Sequence, residues 1–394
     1  MSAQARSSGT RGPEIRERCE LAILGGGCAG LSLATRLAAS PYAPHTQVLE
    51  ARDRYVDDRT WCYWGPAEHP FDRLEAHRWT RWGVRGTDGT STLREAGATP
   101  YVMLRAGDVY REAREVIADS ERVALRTGVR VESVRETPGG VRIDSDGGVL
   151  LADRVIDTRV DTDLIGGARL LQHFMGREVA LDRDAFDPET ALLMDFDVRQ
   201  DRGLHFVYCL PTSRRRALIE TTYFSETTLD AADYAADVDA YLERVAPGAS
   251  VAILREERGV LPMDADLPLP RDTARVTHAG IAGGAVRAST GYAFLEIQRW
   301  AERQAGRLLG SRAPAPSARS GLLRPMDRVF LDFLRRQPEL APAAFVAMFE
   351  SVGTGSLARF LTDRPGPMDL LSIVRSLPVG PLSRAALRTA GGRA

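Results

Sequence analysis

Three glycines near the start of the chain have the spacing used to bind a dinucleotide. Gly25, Gly27 and Gly30 occupy the three glycine positions of a GxGxxG motif. The first allows a tight turn, the second lets the backbone approach a pyrophosphate, and the third lets a helix pack closely on a strand. Glu50 follows Gly30 by 20 residues, the separation at which an acidic side chain bonds ribose hydroxyls. The pattern predicts a nucleotide site, and a glycine-rich turn without a nucleotide is the alternative.

A carboxylate among apolar residues is the second candidate for chemistry. Leu218, Glu220 and Phe224 lie at alternating positions of a predicted strand and therefore share one face. Burial against apolar side chains raises the pKa of a carboxyl group, which can then act as an acid near neutral pH. The alternative is an exposed edge carboxylate without a chemical role.

Aromatic side chains are concentrated after Glu50. Four of the five tryptophans fall between residues 61 and 82, and the first two are Trp61 and Trp64. The cluster is interpreted either as packed core or as the lining of a site for an apolar molecule. In a lining role, the aromatic faces would stabilise a cation.

Missing residue types exclude several classes of protein. The chain contains no Lys, which excludes a pyridoxal Schiff base, a Walker A loop and the kinase lysine. The 52 basic and 53 acidic residues give a net charge of −1, which argues against nucleic-acid binding. The four cysteines form no CxxC pair and the six histidines form no HxH or HxxxH pair. We therefore expect no metal site, no disulfide framework and a reducing compartment.

The elements around these residues predict an α/β fold. Strands are expected at 20–24 and 47–49, with a helix between them that ends at Ser40-Pro41. Residues 101–118 are interpreted as a helix, and short strands follow up to Asp157. Further on, residues 191–198, 204–210 and 217–224 predict antiparallel strands.

A second glycine-rich segment indicates a return to the first domain. An apolar strand at 277–282 runs into Gly283 and Gly284, and a Ser-Thr-Gly loop then precedes a helix at about 292–309. We predict a split Rossmann FAD-binding domain, an inserted antiparallel-sheet substrate domain and a helical C-terminal region. The expected boundaries are a disordered leader at 1–18, the FAD-binding domain at 19–160 and 276–310, the substrate domain at 161–275 and the helical region at 311–394.

Over nearly its full length, the chain resembles the FAD-dependent bacterial lycopene β-cyclases. The matching stretches, in order, are LAILGGGCAGLSLATRL, DDRTWCYW, LQHFMGREV, LLMDFDVRQ, HFVYCLPTSRRRALIETTYFS, ERGVLPMDAD, AGGAVRASTGYAFLEIQRW, and MDRVFLDFL with ARFL. Two positions depart from the family pattern: Ala288 replaces a common Pro, and Asp264-Ala265-Asp266 replaces a more usual Thr-Asp pair. Neither change is at Glu220, the acid that the family motif implies, but both affect which substrate is expected.

The resemblance implies a redox-neutral reaction that closes rings at the linear ψ ends of lycopene or of a related linear terpenoid. Protonation, carbocation cyclisation and deprotonation are the expected steps, with FAD in its reduced form and NAD(P)H as the electron source. The motif match makes Glu220 the catalytic acid. The residues assigned to the cofactor are Gly25, Gly27, Gly30, Glu50, Arg59, Gly283, Gly284, Ser289, Thr290 and Gly291. Those assigned to the substrate lining are Trp61, Trp64, Asp195, Phe224 and Tyr292.

An apolar C40 polyene stays in lipid, so the resemblance also implies a protein in the cytoplasm that associates peripherally with the inner face of the membrane. No stretch reaches ~18 apolar residues, so no helical membrane span is expected. A flavin-dependent monooxygenase or reductase acting on an apolar isoprenoid is the main alternative. A carotenoid-binding protein without enzymatic activity would not need the glycine motif with Glu50, and flavin halogenases depend on a lysine that this chain lacks.

Overall fold

The computed structural model describes residues 15–160, 162–311 and 321–391. In chain order, its strands are β1 (Ile15–Leu24), β2 (Thr46–Leu49), β3 (Thr60–Trp64), β4 (Glu75–Trp79), β5 (Arg81–Arg85), β6 (Ser91–Glu95), β7 (Tyr101–Arg105), β8 (Val123–Arg126), β9 (Val131–Thr137), β10 (Gly140–Ser145), β11 (Gly148–Asp157), β12 (Leu171–Leu181), β13 (Thr190–Asp195), β14 (Leu204–Pro211), β15 (Arg216–Ser225), β16 (Val251–Pro262) and β17 (Val276–His278). Its helices are α1 (Cys28–Ala38), α2 (Ala106–Ala118), α3 (Thr162–Gly166), α4 (Ala231–Val245), α5 (Phe294–Leu308), α6 (Leu323–Arg336), α7 (Ala341–Ser351), α8 (Thr354–Leu361), α9 (Pro367–Ser376) and α10 (Val379–Ala390).

The first sheet carries the glycine turn. Its strand order is β8-β2-β1-β11-β10-β9, and β17 also pairs with β11. The pairs β2–β8, β1–β2, β1–β11 and β11–β17 are parallel, whereas β9, β10 and β11 form antiparallel pairs. Helix α1 connects β1 to β2, buries Leu31 and Leu33, and packs against α5. This strand–turn–helix–strand unit positions the N-terminus of α1 at the carboxyl end of β1.

The second sheet is mixed and has helices on both faces. Its order is β16-β12-β15-β14-β13-β5-β6, and all its pairs are antiparallel except β13–β5. Along β15, Ile219 and Tyr223 pack in one core with residues of α4. Leu218 and Phe224 belong to another core, which includes side chains of the C-terminal helices. The period-two alternation of a strand thus gives Glu220 the same face as Leu218 and Phe224, as predicted.

Three differences from the sequence-based expectations concern the elements. Residues 15–18 belong to β1, so this part of the expected leader is ordered strand, and residues 1–14 lie outside the described residues. The segment 101–118 is a strand followed by a helix, because residues 101–104 are buried on both faces between β3 and β4. Strands β5 and β6 join the second sheet, although they precede the predicted substrate domain at 161–275.

Buried charge joins the late glycine-rich loop to the C-terminal helices. Arg287 is fully buried, and its Nε and Nη2 atoms both donate to Asp327 of α6 at 3.2 Å. The Ser289 hydroxyl donates to the same carboxylate at 2.7 Å. Buried ions are tolerated where they are paired in this way, so the loop is tied to the helices that cover the second sheet. Among the helices of the described residues, none is long and apolar enough to cross a membrane.

Candidate active site

The glycine turn leaves open space at one position and is closely packed at the other two. A Cβ atom at Gly30 would lie 2.0 Å from the carbonyl oxygen of Gly25, so helix and strand approach more closely there than any side chain permits. Gly25 has a φ of +96°, which favours glycine. A Cβ at Gly27, the N-cap of α1, would meet no atom within 4 Å. The backbone therefore requires Gly25 and Gly30, whereas the space above Gly27 is free for a ligand.

An acidic side chain stands beside this turn, as the motif predicts. Glu50 follows β2 and accepts hydrogen bonds from the backbone N–H of Gly26 at 2.6 Å and of Arg52 at 2.8 Å. Burial on its own raises the pKa of Glu50, but the hydrogen bonds from Arg52 and Gly26 outweigh it and hold the pKa below its ordinary value. Arg59 forms an ion pair with Asp58 at 2.9 Å and lies close enough to α1 for its charge to act on the Cys28 thiol.

These residues fit a dinucleotide such as FAD. The N-terminus of α1 has no side-chain cap, so its N–H groups can bind phosphate oxygens. Two buried polar atoms, Gln172 Oε1 and Trp64 Nε1, have no hydrogen-bond partner among the described residues. Because buried polar groups are normally paired, both atoms are consistent with a polar ligand beside Gln172 of β12 and Trp64 of β3.

The late loop lies against the second sheet. Gly284 and Gly291 have φ values of +74° and +72°. A Cβ at Gly291 would lie 2.0 Å from Gln172 Oε1 on β12, and one at Gly283 would lie 2.5 Å from the Cα of Ala279. Thr290 follows Ser289, whose hydroxyl is bound to Asp327 and therefore points toward α6. The loop leads from β17 of the first sheet to α5 and contacts β12 of the second sheet at Gln172.

The carboxyl group of Glu220 lies in a poorly hydrated environment. It is half-buried, while its neighbours along β15 from 217 to 224 are buried. The Thr222 hydroxyl donates to it at 3.4 Å. Burial raises the pKa of Glu220 well above its ordinary value, and the charge of Glu257 and a hydrogen bond with Glu257 raise it further. These surroundings therefore favour the neutral, protonated form of Glu220 over its charged form.

Aromatic rings and neutral polar groups surround this acid. The Trp64 ring lies 5.0 Å from the Tyr292 ring, and the Tyr292 hydroxyl lies 3.3 Å from that of Tyr101. Tyr208 lies directly opposite Glu220 on β14, close enough to Tyr292 for the two hydroxyl groups to affect one another's pKa. A small cleft lined in part by Cys62, Trp64 and Tyr292 opens beside these rings. The arrangement combines a carboxyl group of raised pKa with aromatic faces, and the charge of Arg255 acts on that carboxyl group.

Two residues assigned to the substrate lining lie elsewhere. Asp195 is fully buried on the α4 face of the second sheet, where it pairs with Arg85 and Arg244 at 3.0 Å and accepts from Tyr241 at 2.9 Å. It is a structural charge on the face opposite Glu220, so its assignment is corrected.

Trp61 is likewise displaced from the predicted lining. It stacks on Phe294 at 5.9 Å and contacts Tyr110 at 5.8 Å, in the core beneath the first sheet. Alternation along β3 gives Cys62 and Trp64 the face toward Glu220 and gives Trp61 the other face. Phe224 shares the face of Glu220 but is packed in the core.

Several residues around Glu220 were not predicted from the sequence: Cys62, Tyr101, Gly176, Tyr208 and Glu257. Tyr101 was hidden by its assignment to a helix. Gly176 and Glu257 both lie in stretches that match the family, and a glycine inside a strand signals close approach of other groups. Their sequence separation of 81 residues concealed their pairing across β12 and β16. Among the described residues, no group of three His, Cys, Asp or Glu side chains is arranged to hold a metal ion.

The fold defines a broad class of protein. The structure of the flavin-dependent monooxygenase PieE, solved in complex with FAD and substrate, superposes with a TM-score of 0.59 at 16% sequence identity. The superposition covers 96% of this chain and 72% of that chain. The chain therefore has the mixed α/β fold found in FAD-dependent monooxygenases.

The sequence identifies the family within that class. Residues 20–387 match the family described as lycopene cyclase protein. Lycopene beta-cyclase from Paracoccus sp. is 27% identical over 93% of this chain and 96% of its own length. Lycopene beta-cyclase from Pseudescherichia vulneris is 30% identical over 70% of each chain. The chain belongs to the lycopene cyclase family, and it is an enzyme, a cyclase.

Proposed function

We propose that this protein is a flavin-dependent, redox-neutral cyclase that converts the linear ψ ends of lycopene, or of a related linear terpenoid, into six-membered rings. The observation that carries the proposal is the Glu220 carboxyl group, whose burial raises its pKa on a sheet face that it shares with aromatic side chains. Protonation of an alkene needs an acid that stays neutral near pH 7, and the raised pKa of Glu220 favours that form.

The chemistry assigned to the chain begins with transfer of the Glu220 proton to an alkene carbon. The resulting tertiary cation is attacked by a second double bond of the same chain, which forms the ring carbon–carbon bond. Loss of a ring proton to a base then restores a double bond, so the product has the atoms of the substrate. Trp64 and Tyr292 offer faces that stabilise the cation without trapping it.

The cofactor proposed for this reaction is FAD in its reduced form, with NAD(P)H as the electron source. Gly25, Gly27, Gly30, Glu50 and Arg59 would hold the nucleotide part. Gly283, Gly284, Ser289, Thr290 and Gly291 would form the loop at the flavin. Reduced FAD would supply negative charge near the developing cation.

The proposed function is tested by expressing the chain in a host that accumulates lycopene. We expect a pigment with the same mass as lycopene, a shorter chromophore, and one or two closed rings. A pigment heavier by oxygen would indicate a monooxygenase, and one heavier by pairs of hydrogen atoms would indicate a reductase. Either result, or unchanged lycopene in a host that contains the folded, flavin-loaded protein, would overturn the proposal.

A partner at the membrane surface is proposed from the C-terminal helices. Met368 of α9 is 71% exposed, and Val379 and Leu387 of α10 are 73% and 76% exposed. Arg375 and Arg388 stand in the last turns of the same two helices. Exposed apolar side chains beside cationic ones are typical of a helix that lies on an anionic lipid surface. The proposed location is the inner face of the cytoplasmic membrane.

Flotation with liposomes that contain anionic lipid tests this partner. We expect the wild-type protein to float, and the double variant Val379→Glu, Leu387→Glu to remain in the aqueous fraction, because two charges must then be desolvated on contact. Tyr42→Glu is the matched control, since Tyr42 is 86% exposed in the loop between α1 and β2. Flotation of the double variant at the wild-type level would rule out this surface.

A further inference from the structure

Two carboxyl groups meet across a strand at a position without a side chain. On the second sheet, Gly176 of β12 lies directly opposite Glu220 on one side and Glu257 on the other. Residues opposite one another in neighbouring strands share a face. A Cβ at Gly176 would lie 3.1 Å from Glu257 Cγ and 3.3 Å from Glu220 Oε2, so both carboxyl side chains lean over the glycine. The two carboxyl groups are thus close enough to act on one another, and the charge of Glu257 raises the pKa of Glu220.

The partners of the two carboxyl groups are unequal. Glu257 is 5% exposed, forms an ion pair with Arg255, and accepts a hydrogen bond from the Thr60 hydroxyl at 2.9 Å. Arg255 donates to the same Thr60 oxygen at 2.7 Å. Among the described residues, the hydroxyl of Thr222, at 3.4 Å, is the one donor whose hydrogen bond to Glu220 is seen. Negative charge is therefore stabilised better on Glu257 than on Glu220, and a proton is stabilised better on Glu220 than on Glu257.

We propose that Glu257, held by Arg255 and Thr60 and brought to Glu220 across Gly176, is a positioning residue that keeps the catalytic proton on Glu220 and drives its return after ring closure. This inference rests on the proposed function of Glu220 as the acid. The proton leaves a Glu220 oxygen for an alkene carbon, and a ring proton later returns to the same carboxylate. Because Glu257 is ion-paired with Arg255, the deprotonated Glu220 faces a second carboxylate, and this repulsion favours recapture of a proton.

The other groups that face Glu220 do not carry charge in the same pH range. Burial raises the pKa values of Tyr101 on β7, Tyr208 on β14 and Tyr292 in the late loop far above neutrality. Burial also raises the pKa of the Cys62 thiol on β3, and the charges of both glutamates add to this effect. These groups remain neutral while Glu220 titrates.

The cations near the pair are already engaged by carboxylates. Arg255 pairs with Glu257 and also lies 3.5 Å from Asp57 and from Glu178. Arg105 pairs with the same Glu178 and Asp57. Glu257 is therefore the charged group joined most directly to Glu220.

The test is the pH dependence of turnover in Glu257→Gln, compared with Glu256→Gln. The raised pKa keeps Glu220 protonated, so activity falls as the pH rises through that pKa. Glutamine removes the neighbouring charge and donates a hydrogen bond to the Glu220 carboxylate. The alkaline limb of the pH–activity profile, where activity falls with rising pH, should therefore move by about one pH unit or more to lower pH. Glu256 lies next to Glu257 and pairs with Arg177 and Arg258. Its substitution should leave the limb in place, and an unmoved limb in Glu257→Gln would overturn the inference.

A second variant separates the two groups without changing either. Gly176→Ala inserts a methyl group between them, so the alkaline limb should again move to lower pH, by less than in Glu257→Gln. Infrared difference spectra give a readout that is independent of turnover. The carbonyl band of protonated Glu220, assigned by its loss in Glu220→Gln, should titrate at lower pH in both variants. The flavin content and the thermal midpoint of each variant show whether it has folded. If Glu257→Gln does not fold, an unshifted band in folded Gly176→Ala overturns the inference.

The two proposals fail differently. A shifted infrared titration in a protein without cyclase activity would overturn the proposed function and retain the carboxyl pair. Normal cyclisation with unshifted titrations would overturn only the role of Glu257.

Discussion

Glu220→Gln is expected to lower turnover by at least about 100-fold when the flavin has been reduced in advance, which corresponds to about 2.7 kcal/mol of barrier. Glutamine keeps the size and shape of the side chain, but it has no proton to give to an alkene. The measurement is product formation from lycopene in vesicles under anaerobic conditions. Prior reduction of the flavin separates a failure of proton transfer from a failure of electron supply.

Folding and cofactor content decide how this result is read. Glu220 lies on the second sheet, away from the glycine turn of the first, so the variant should retain its thermal midpoint and its FAD. Glu256→Gln is a matched control, because it makes the same chemical change on another strand of the same sheet and should leave turnover intact. Near-normal turnover in Glu220→Gln would refute its assignment as the acid. Asp58 would then be the next candidate, because Asp195 and Asp197 share the Arg244 ion cluster on the far face.

Gly27→Trp should empty the proposed nucleotide site while leaving the fold intact. A Cβ at Gly27 would meet no protein atom within 4 Å, and the φ of −82° is one that any residue adopts. The bulky side chain would occupy the space through which the backbone approaches a pyrophosphate. We expect a purified protein that is colourless, contains less than about a tenth of the wild-type FAD and has lost turnover with it. Absorbance of the released flavin measures the loss.

Two further glycines serve as references for this prediction. Gly139→Trp adds the same side chain at another position where a Cβ meets no atom within 4 Å, and it should leave the FAD content unchanged. Gly30→Ala forces a contact of 2.0 Å with the Gly25 carbonyl and should lower the thermal midpoint as well as the FAD content. A yellow, flavin-replete Gly27→Trp protein would contradict the placement of the pyrophosphate at this turn.

Most parts of the fold that depend on short stretches of sequence were predicted correctly. The glycine spacing, the strand at β2 and the following Glu50 are all contained within about 30 residues, and the structure has them as expected. Alternation along β15 identified the face of Glu220 because a strand has a period of two. The segment 101–118 was misassigned because the apolar run at its start fits a buried strand and a helix equally well.

The remaining features depend on pairings that no local pattern contains. Asp195 follows an irregularity in the pairing of β13, which interrupts the alternation of the strand, and it pairs there with Arg85 and Arg244 from distant segments. Glu257 acquires its position from the register of β16 on β12, and the gap at Gly176 matters only because Glu220 lies on the other side. Such cross-strand rows become visible only when the sheet order is known.

The parallel pairing of β5 with β13 has a consequence for attempts to take this enzyme apart. A fragment that contains only residues 161–275 would lack β5 and β6, and the open side of β13 would present unpaired N–H and C=O groups along its length. Such an edge recruits other chains, so the fragment should aggregate. Chimeras between relatives would therefore have to exchange residues 81–95 together with the later strands, because the two stretches form one sheet.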